Sequence, residues 1–144
     1  MSRLATAKKA AVADRLHSAS IHLLRRVRRE DEATGLGPAR LSALSVVVFG
    51  GPLSLGRLAA AEQVRPPTMS RIVAALEDDG LVRRAPDPAD GRGVVVTATG
   101  RGTRLLQRAR RRRIENLTGL IESLDGREVA VLEEAATILE RVLD

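Results

Sequence analysis

Hydroxyl and guanidinium side chains, which bind phosphates and base edges, are concentrated in the short segment from residue 65 to residue 71. Hydroxyl groups can hydrogen-bond to either target, and an arginine can pair with guanine through two hydrogen bonds. Apolar residues follow at helical spacing on the opposite side of the segment: Ile72, Val73 and Leu76. The pattern predicts a helix whose outer face enters a groove of DNA while its inner face packs in a core. The candidate contact residues are Thr68, Ser70 and Arg71.

A second candidate for nucleic-acid contact is the loop Asp87-Pro88-Ala89-Asp90-Gly91-Arg92, which is rich in turn-forming residues. Two β-prone runs, at about residues 81–84 and 94–97, flank the loop, so the segment predicts a β-hairpin with an arginine at its tip. An arginine there can enter the minor groove, where the negative potential is strongest. Asp90 lies two residues before Arg92 and could hold its guanidinium group in place. The alternative is a solvated loop arginine without a role in binding.

Catalytic and metal-binding chemistry finds little support in the sequence. There is no cysteine, which excludes thiolate nucleophiles, disulfides and thiol-based redox sensing. No glycine-rich phosphate loop is present. His17 and His22 lie five residues apart, whereas two metal ligands on one helix normally lie three or four residues apart. We therefore predict no enzyme activity, no cofactor and no metal site.

The charge distribution separates the chain into a basic part and an acidic tail. The net charge is +6, but residues 1–113 hold 22 of the 24 basic and 10 of the 18 acidic residues, and residues 114–144 carry a net −6. A basic surface favours anionic partners, nucleic acid before an anionic membrane. Phe49 is the only aromatic residue, so binding of single-stranded bases by stacking is not expected, and double-stranded DNA is the predicted partner. The sequence has no apolar run of transmembrane length and no signal core, which predicts a cytoplasmic protein without membrane contact.

A helix-turn-helix followed by a hairpin would place the two candidate segments side by side. Hydrophobic periodicity predicts helices at about residues 7–32, 38–49, 55–63, 66–79, 100–124 and 126–143. Ser54 and Thr99 are predicted N-caps, and Leu53 with Leu58 is predicted to form a hydrophobic staple. The predicted fold is mostly α with a small β-hairpin wing, a winged helix-turn-helix with long terminal helices.

Apolar stripes on the first and last helices are longer than the small central module can cover, which predicts a second copy of the chain as partner. We expect one domain over residues 1–144, with a DNA-binding part at 36–99 and helical dimerisation parts at 7–34 and 100–144. The residues predicted at the dimer interface are Val12, Leu16, Leu23, Val129, Leu132 and Leu139.

The run Arg110-Arg111-Arg112-Arg113 cannot meet a single ligand, because consecutive residues point all around a helix. Three roles stay open for it. A few of these arginines could contact phosphates, the run could form a solvated face, or it could pair with acidic residues of the last helix, within or between subunits.

In this order and spacing, the segments resemble the MarR-type transcriptional regulators. The resemblance covers nearly the whole chain, and the stretch from Arg65 to Arg71 is most similar to actinobacterial members. It rests on five segments: Leu58-Ala59, Pro66 to Leu76, Glu77 to Arg84, Asp87 to Arg92 and Val94 to Gly102.

The resemblance implies a homodimer, most often a repressor, that binds a pseudo-palindromic operator with one recognition helix per major groove and one wing per minor groove. Arg65 stands where the family usually has a small polar cap, so it is expected to contact phosphate instead. Arg92 would be the minor-groove arginine, oriented by Asp90. The groove contacts implied for the helix are Pro67, Thr68, Ser70 and Arg71.

Many members of the family release DNA when a small molecule fills a cleft between the dimerisation and DNA-binding parts. The resemblance places such an effector cleft near Leu16, Ser20, Val48 and Phe49. The absence of cysteine excludes the family's thiol-based peroxide sensing, and the scarcity of aromatic residues and histidines speaks against aromatic ligands and metal sensing. A non-specific architectural DNA-binding protein is the main alternative function, and a protein-interaction module without DNA binding is the other.

Overall fold

Six α-helices and three short strands follow one another along residues 3–144, the part of the chain that this computed structural model describes. A 3-10 turn, Glu32–Thr34, links the first two helices. The prediction of a mostly helical fold with a small β-hairpin is confirmed. The elements are α1 (Arg3–Asp31), α2 (Pro38–Gly50), β1 (Leu53–Ser54), α3 (Leu55–Ala61), α4 (Pro66–Asp78), β2 (Val82–Pro86), β3 (Val94–Ala98), α5 (Gly100–Ile121) and α6 (Gly126–Leu143).

The sheet has a third strand that the sequence did not predict. The strand order is β1-β3-β2, and all pairs are antiparallel, with Leu53 opposite Val96. β1 is only two residues long, so it carries no alternation of apolar and polar side chains by which a strand could be recognised. The predicted cap at Ser54 is nevertheless correct, because its side chain accepts a hydrogen bond from the Arg57 N–H at 3.2 Å.

The start of α5 is held against the end of α4 by Thr99. Its hydroxyl oxygen accepts the Gly102 N–H at 3.1 Å, as predicted for an N-cap, and its hydroxyl group donates to the Gly80 carbonyl at 2.7 Å. Gly102 lies so close to the Leu81 carbonyl oxygen that a Cβ atom at this position would overlap it. These contacts fix the direction in which α5 leaves the sheet.

The core lies between α2, α3, α4, the sheet and the first half of α5. On α4, the fully buried residues are Met69, Val73 and Leu76, whereas Ile72 is half-buried at the edge of the core. The prediction of Ile72 as an inward residue was therefore only partly right, and Met69 was missed. The other large residues that are fully buried are Leu44, Val47, Leu58, Leu81, Val82 and Val96.

Outside this core, α1 packs against α5 through polar contacts near its C-terminal end. Arg113 donates to Asp31 at 2.6 Å, and Asn116 accepts from Arg26 at 3.3 Å and donates to Glu30. Most of α1 and nearly all of α6 are exposed. No single helix of the described residues is long and apolar enough to cross a membrane, although the pair Leu4–Thr34 and Pro38–Gly50, bent by 88°, meets the length and composition required.

Candidate nucleic-acid interface

The turn between α3 and α4 brings the two helices of the motif together within four residues. The Val64 N–H donates to the Ala59 carbonyl at 3.0 Å, and Gln63 adopts a left-handed φ of 55°. Pro66 and Pro67 then open α4, where the first N–H groups need no partner within the helix. The result is a short, well-defined turn that sets the angle of α4.

The N-terminal half of α4 presents polar and basic residues to solvent, opposite the buried Met69. Arg65, Pro67, Thr68 and Arg71 are exposed, as expected of residues that would contact a groove. Ser70 is half-buried at the edge of this face. The structure therefore brings all five predicted residues of this segment together, with Arg65 at the N-cap and the other four in the first two turns of α4.

The loop of residues 87–93 between β2 and β3, here called the wing, is built on its two aspartates. The Asp87 carboxylate accepts the Ala89 N–H at 2.8 Å, and the Asp90 carboxylate accepts the Arg92 N–H at 3.1 Å. Asp90 thus acts on the backbone of Arg92, and within the described residues it makes no hydrogen bond to the guanidinium group predicted as its partner. The Arg92 side chain is exposed and points its charge to solvent.

The arginines of the candidate interface are among the many arginines that have no acidic partner within the described residues. Within the described residues, Arg65, Arg71 and Arg92 form no ion pair. Other arginines do form ion pairs: Arg40 with Asp79, Arg84 with Glu77 and Arg113 with Asp31. The unpaired cations of α4 and the wing are therefore available to an anionic ligand.

One contact next to the interface was missed by sequence reasoning. Glu77, on the last turn of α4, accepts hydrogen bonds from the backbone N–H of Arg84 at 2.9 Å and from its guanidinium group at 3.1 and 3.2 Å. The backbone N–H of Arg84, and then its guanidinium group, hold the pKa of Glu77 below its ordinary value. The signal that could have revealed it is an acidic residue at a helix end and a basic residue seven positions later, across the glycine turn at Gly80.

Among the described residues, no arginine of α5 forms an ion pair with a residue of α4 or of the wing. Among the described residues, Arg113 alone of the run pairs with an acidic residue, and that residue, Asp31, lies on α1 and not on α6. Pairing of the run with α6 inside one chain, one of the three predicted roles, therefore has no contact to support it. The exposed arginines of α5 are Arg101, Arg104, Arg108, Arg110, Arg111 and Arg112.

The four predicted effector residues differ in their surroundings within the single chain. Leu16 and Ser20 are exposed on α1, Val48 packs against the core, and Phe49 is 66% exposed at the end of α2. A cleft of about 600 Å³ lies between the C-terminal end of α1 and the start of α2. Its lining is rich in polar and charged side chains: Arg25, Arg28, Arg29, Asp31, Glu32, Ser42, Ser45 and Arg113. No group of three possible metal ligands occurs in the described part of the chain.

Comparison with known proteins identifies the arrangement of helix and wing. Residues 34–93, which include α2, the helix-turn-helix and the whole wing, match the sequence model of the MarR family. An uncharacterised helix-turn-helix-type transcriptional regulator from Mycobacterium bovis is 37% identical over 135 residues, which make up 94% of either chain. The chain belongs to the MarR family. The predicted resemblance is thereby confirmed, and the chain is a transcriptional regulator.

Solved structures show that the MarR-type fold extends over nearly the whole chain. A transcriptional regulator from Thermotoga maritima superposes with a TM-score of 0.82 at 24% identity, over 93% of this chain and 94% of that one. A transcriptional regulator described as putative, from Pseudomonas aeruginosa, has a TM-score of 0.81 at 30% identity, over 95% of this chain and 96% of that one. The long helices α1, α5 and α6 are therefore part of the shared fold and no addition to it.

Proposed function

We propose that this MarR-family regulator acts as a homodimeric repressor that recognises a pseudo-palindromic operator. The observation that carries the proposal is the exposed basic and polar face of α4 next to a wing whose arginine has no acidic partner among the described residues. Thr68, Ser70 and Arg71 would contact base edges and phosphates in the major groove, with Pro67 packed close to the groove. Arg65 would contact phosphate, and Arg92 would enter the minor groove.

Exposed apolar side chains on the long helices support the homodimer. The six residues predicted at the interface are between 36% and 48% exposed in the single chain, although leucine and valine are usually buried. A second copy would cover them, and two-fold symmetry would present two recognition helices to successive major grooves. The residues are Val12, Leu16, Leu23, Val129, Leu132 and Leu139.

Fluorescence anisotropy with competitor DNA tests sequence-specific binding. The protein is titrated on labelled duplexes from its own upstream intergenic region, at about 150 mM salt, with random-sequence duplex as competitor. A repressor should prefer one palindromic segment by roughly 10³- to 10⁷-fold over random duplex. Equal loss to the competitor on every segment, including those recovered from a genome-wide binding map, would contradict the proposal and favour an architectural DNA-binding protein.

We further propose that a small anion binds in the cleft between α1 and α2 and thereby controls the release of DNA. Three arginines of α1 line it, Arg25, Arg28 and Arg29, together with Ser42 and Ser45 of α2. Two acidic residues, Asp31 and Glu32, also line the cleft, and Asp31 is paired with Arg113. The volume of about 600 Å³ suits a small organic molecule. Because arginine and hydroxyl groups together recognise carboxylates and phosphates, the expected ligand is an organic acid or a phosphate ester and not a neutral aromatic compound.

A ligand screen on the protein–operator complex tests this regulation. Carboxylates and phosphate esters that lower the anisotropy should lose their effect in Arg28→Gln, while the unliganded variant should still bind the operator. A ligand that acts equally on the wild type and on the variant would place the effector site elsewhere, and the predicted position near Leu16, Ser20, Val48 and Phe49 would then be tested in the same way.

A further inference from the structure

The contact between Glu77 and Arg84 joins the recognition helix to the stem of the wing. Glu77 lies on the last turn of α4, and Arg84 is the third residue of β2, opposite Val96 of β3. Three hydrogen bonds of 2.9–3.2 Å connect the two residues. The two side chains are about one-third exposed, so the contact lies at the surface and is not part of the core.

The backbone part of this contact gives a hydrogen-bond acceptor to an N–H group at the edge of the sheet. β2 is an edge strand, because the strand order is β1-β3-β2. N–H groups on the free side of an edge strand have no partner within the sheet. Glu77 accepts the N–H of Arg84, and Pro86, two residues further along the same edge, has no N–H to offer. The free edge of the wing stem is therefore bound to α4 at one position.

The contact connects the two parts of the molecule that would meet the two grooves of DNA. Residues at the N-terminal end of α4 would contact the major groove, and β2 leads from Arg84 directly into the wing and Arg92. A change in the angle between α4 and β2 would move Arg92 relative to α4. Because the contact fixes that angle before binding, less conformational entropy is lost when the complex with DNA forms.

We propose that Glu77 is a positioning residue that sets the wing relative to the recognition helix, so that Arg92 reaches the minor groove while α4 occupies the major groove. The proposal rests on the proposed DNA-binding function. Glu77 itself contacts no DNA in this scheme, because it faces β2 at the end of α4 remote from Thr68 and Arg71. Its effect on binding passes through Arg92.

A double-mutant cycle on operator affinity tests the proposal. Glu77→Ala is expected to weaken operator binding by about 3- to 10-fold, and Arg92→Ala by about 5- to 150-fold. The double variant should bind more tightly than the product of the two effects predicts, because Arg92 already contributes less when the wing is not held. Strictly additive effects would overturn the proposal. Glu77→Gln, which keeps an acceptor for the Arg84 N–H, should retain part of the affinity.

Asp79→Ala is the matched control. Asp79 lies at the same end of α4 and forms an ion pair of 3.3 Å with Arg40, but its partner belongs to α2 and not to the wing stem. We expect its effect on operator affinity to be additive with that of Arg92→Ala. Coupling of equal size in both cycles would mean that any loss at this helix end disturbs the wing, which would contradict a specific role for Glu77.

Hydrogen exchange in the free protein separates this proposal from the proposed function. The amides of Asp87 and Gly93 are hydrogen-bonded within the wing and should exchange faster in Glu77→Ala than in the wild type. Their exchange rates in Asp79→Ala should equal those of the wild type. Unchanged exchange in Glu77→Ala would overturn the proposal. If the wild type shows no operator preference, the repressor function fails, but the exchange result still decides whether Glu77 holds the wing.

Discussion

At the scale of single residues, the arginines of this chain fall into two groups with different roles. Arg40, Arg84 and Arg113 form ion pairs that join one element to another. Arg71 and Arg92 are exposed and form no ion pair with any described residue. An unpaired arginine can bind a phosphate without first breaking an internal ion pair, whereas a paired arginine must first give up its hydrogen bonds. Arg108 of α5 is also exposed and has no ion pair among the described residues, so the position of Arg71 on α4 and of Arg92 in the wing is what distinguishes them.

Replacement of Arg92 tests this division directly. Arg92→Ala should reduce operator affinity by about 1–3 kcal/mol, because one charge in the minor groove is lost while the wing backbone keeps its hydrogen bonds. The matched control is Arg108→Ala, which removes from α5 one exposed charge that has no ion pair among the described residues. Anisotropy titrations should show a much smaller change for this control. Equal losses for both variants would mean that only net charge matters.

The carboxylate of Glu77 gives a pH-dependent prediction at the same scale. Its pKa is lower in the folded chain than its ordinary value, because Arg84 hydrogen-bonds to the ionised form. Such a group stabilises the fold fully at a pH above the unfolded pKa, and the contribution is lost as the pH falls through the folded pKa. The melting temperature of Glu77→Gln should therefore lie below that of the wild type at about pH 7, and the difference should shrink below about pH 4. A difference that is constant over this range would contradict the ionic origin.

At the scale of elements, the close approach between α5 and the turn after α4 depends on a glycine. A Cβ atom at Gly102 would overlap the Leu81 carbonyl oxygen, which is backbone and cannot rotate away. Gly102→Ala should therefore push α5 from the sheet and cost about 1–3 kcal/mol or more in unfolding free energy. Gly56→Ala on α3 is the control, since nothing lies within 4 Å of its added Cβ. Urea titrations should show a loss of stability for the first variant only.

What the sequence could predict at this scale depended on how local each signal was. The caps Ser54 and Thr99 and the two wing strands follow from residues close in sequence, and the structure confirms them. The strand β1 was missed because its only cause is pairing with β3, about forty residues away. α1 begins at Arg3 rather than near residue 7, and α5 ends at Ile121 rather than near residue 124. Helix ends are set by single hydrogen bonds that periodicity does not detect.

The candidate site shows the same limit. Arg65, Thr68, Arg71 and Arg92 could be selected because turn residues and an amphipathic pattern place them on exposed surfaces. The cleft between α1 and α2 could not, because its lining comes from α1, α2 and α5, and contacts between residues far apart in sequence, such as Arg113 with Asp31, bring α1 and α5 together. The group that Asp90 binds could not be predicted from the sequence either, because a carboxylate two residues before an arginine can accept a hydrogen bond from its backbone or from its side chain.

At the scale of the whole molecule, α6 carries more exposed apolar surface than one flat contact could cover. One stripe runs along Val129, Leu132 and Leu139, and a second lies on another face of the helix, with Val131 59% and Val142 64% exposed. The members of the first stripe are three and seven positions apart, which keeps them on one face. Val131 precedes Leu132 by one position, which is about 100° around the helix, so the two stripes point in different directions. Both can be buried only if α6 lies between helices, and α1 of a second copy offers exposed apolar residues such as Val12, Leu16 and Leu23. The shape of the exposed surface thus favours an interlocked dimer over two chains that touch at their edges.

A charge placed within the first stripe should separate dimerisation from folding. Leu132→Glu removes no core residue, since the buried core lies on α2 to α5, so the isolated chain should keep its helical circular dichroism. Sedimentation should show a shift from dimer to monomer, because the glutamate would be buried without a partner in the interface. Operator affinity should fall by about 10²-fold or more, because two recognition helices on one dimer act at a high effective concentration and separate monomers do not. Glu134→Gln, on the polar face of α6, should leave the mass and the affinity unchanged. If Leu132→Glu remains dimeric, the first stripe is not the dimer interface. If the variant becomes monomeric but keeps full operator affinity, each half-site is recognised independently by one chain.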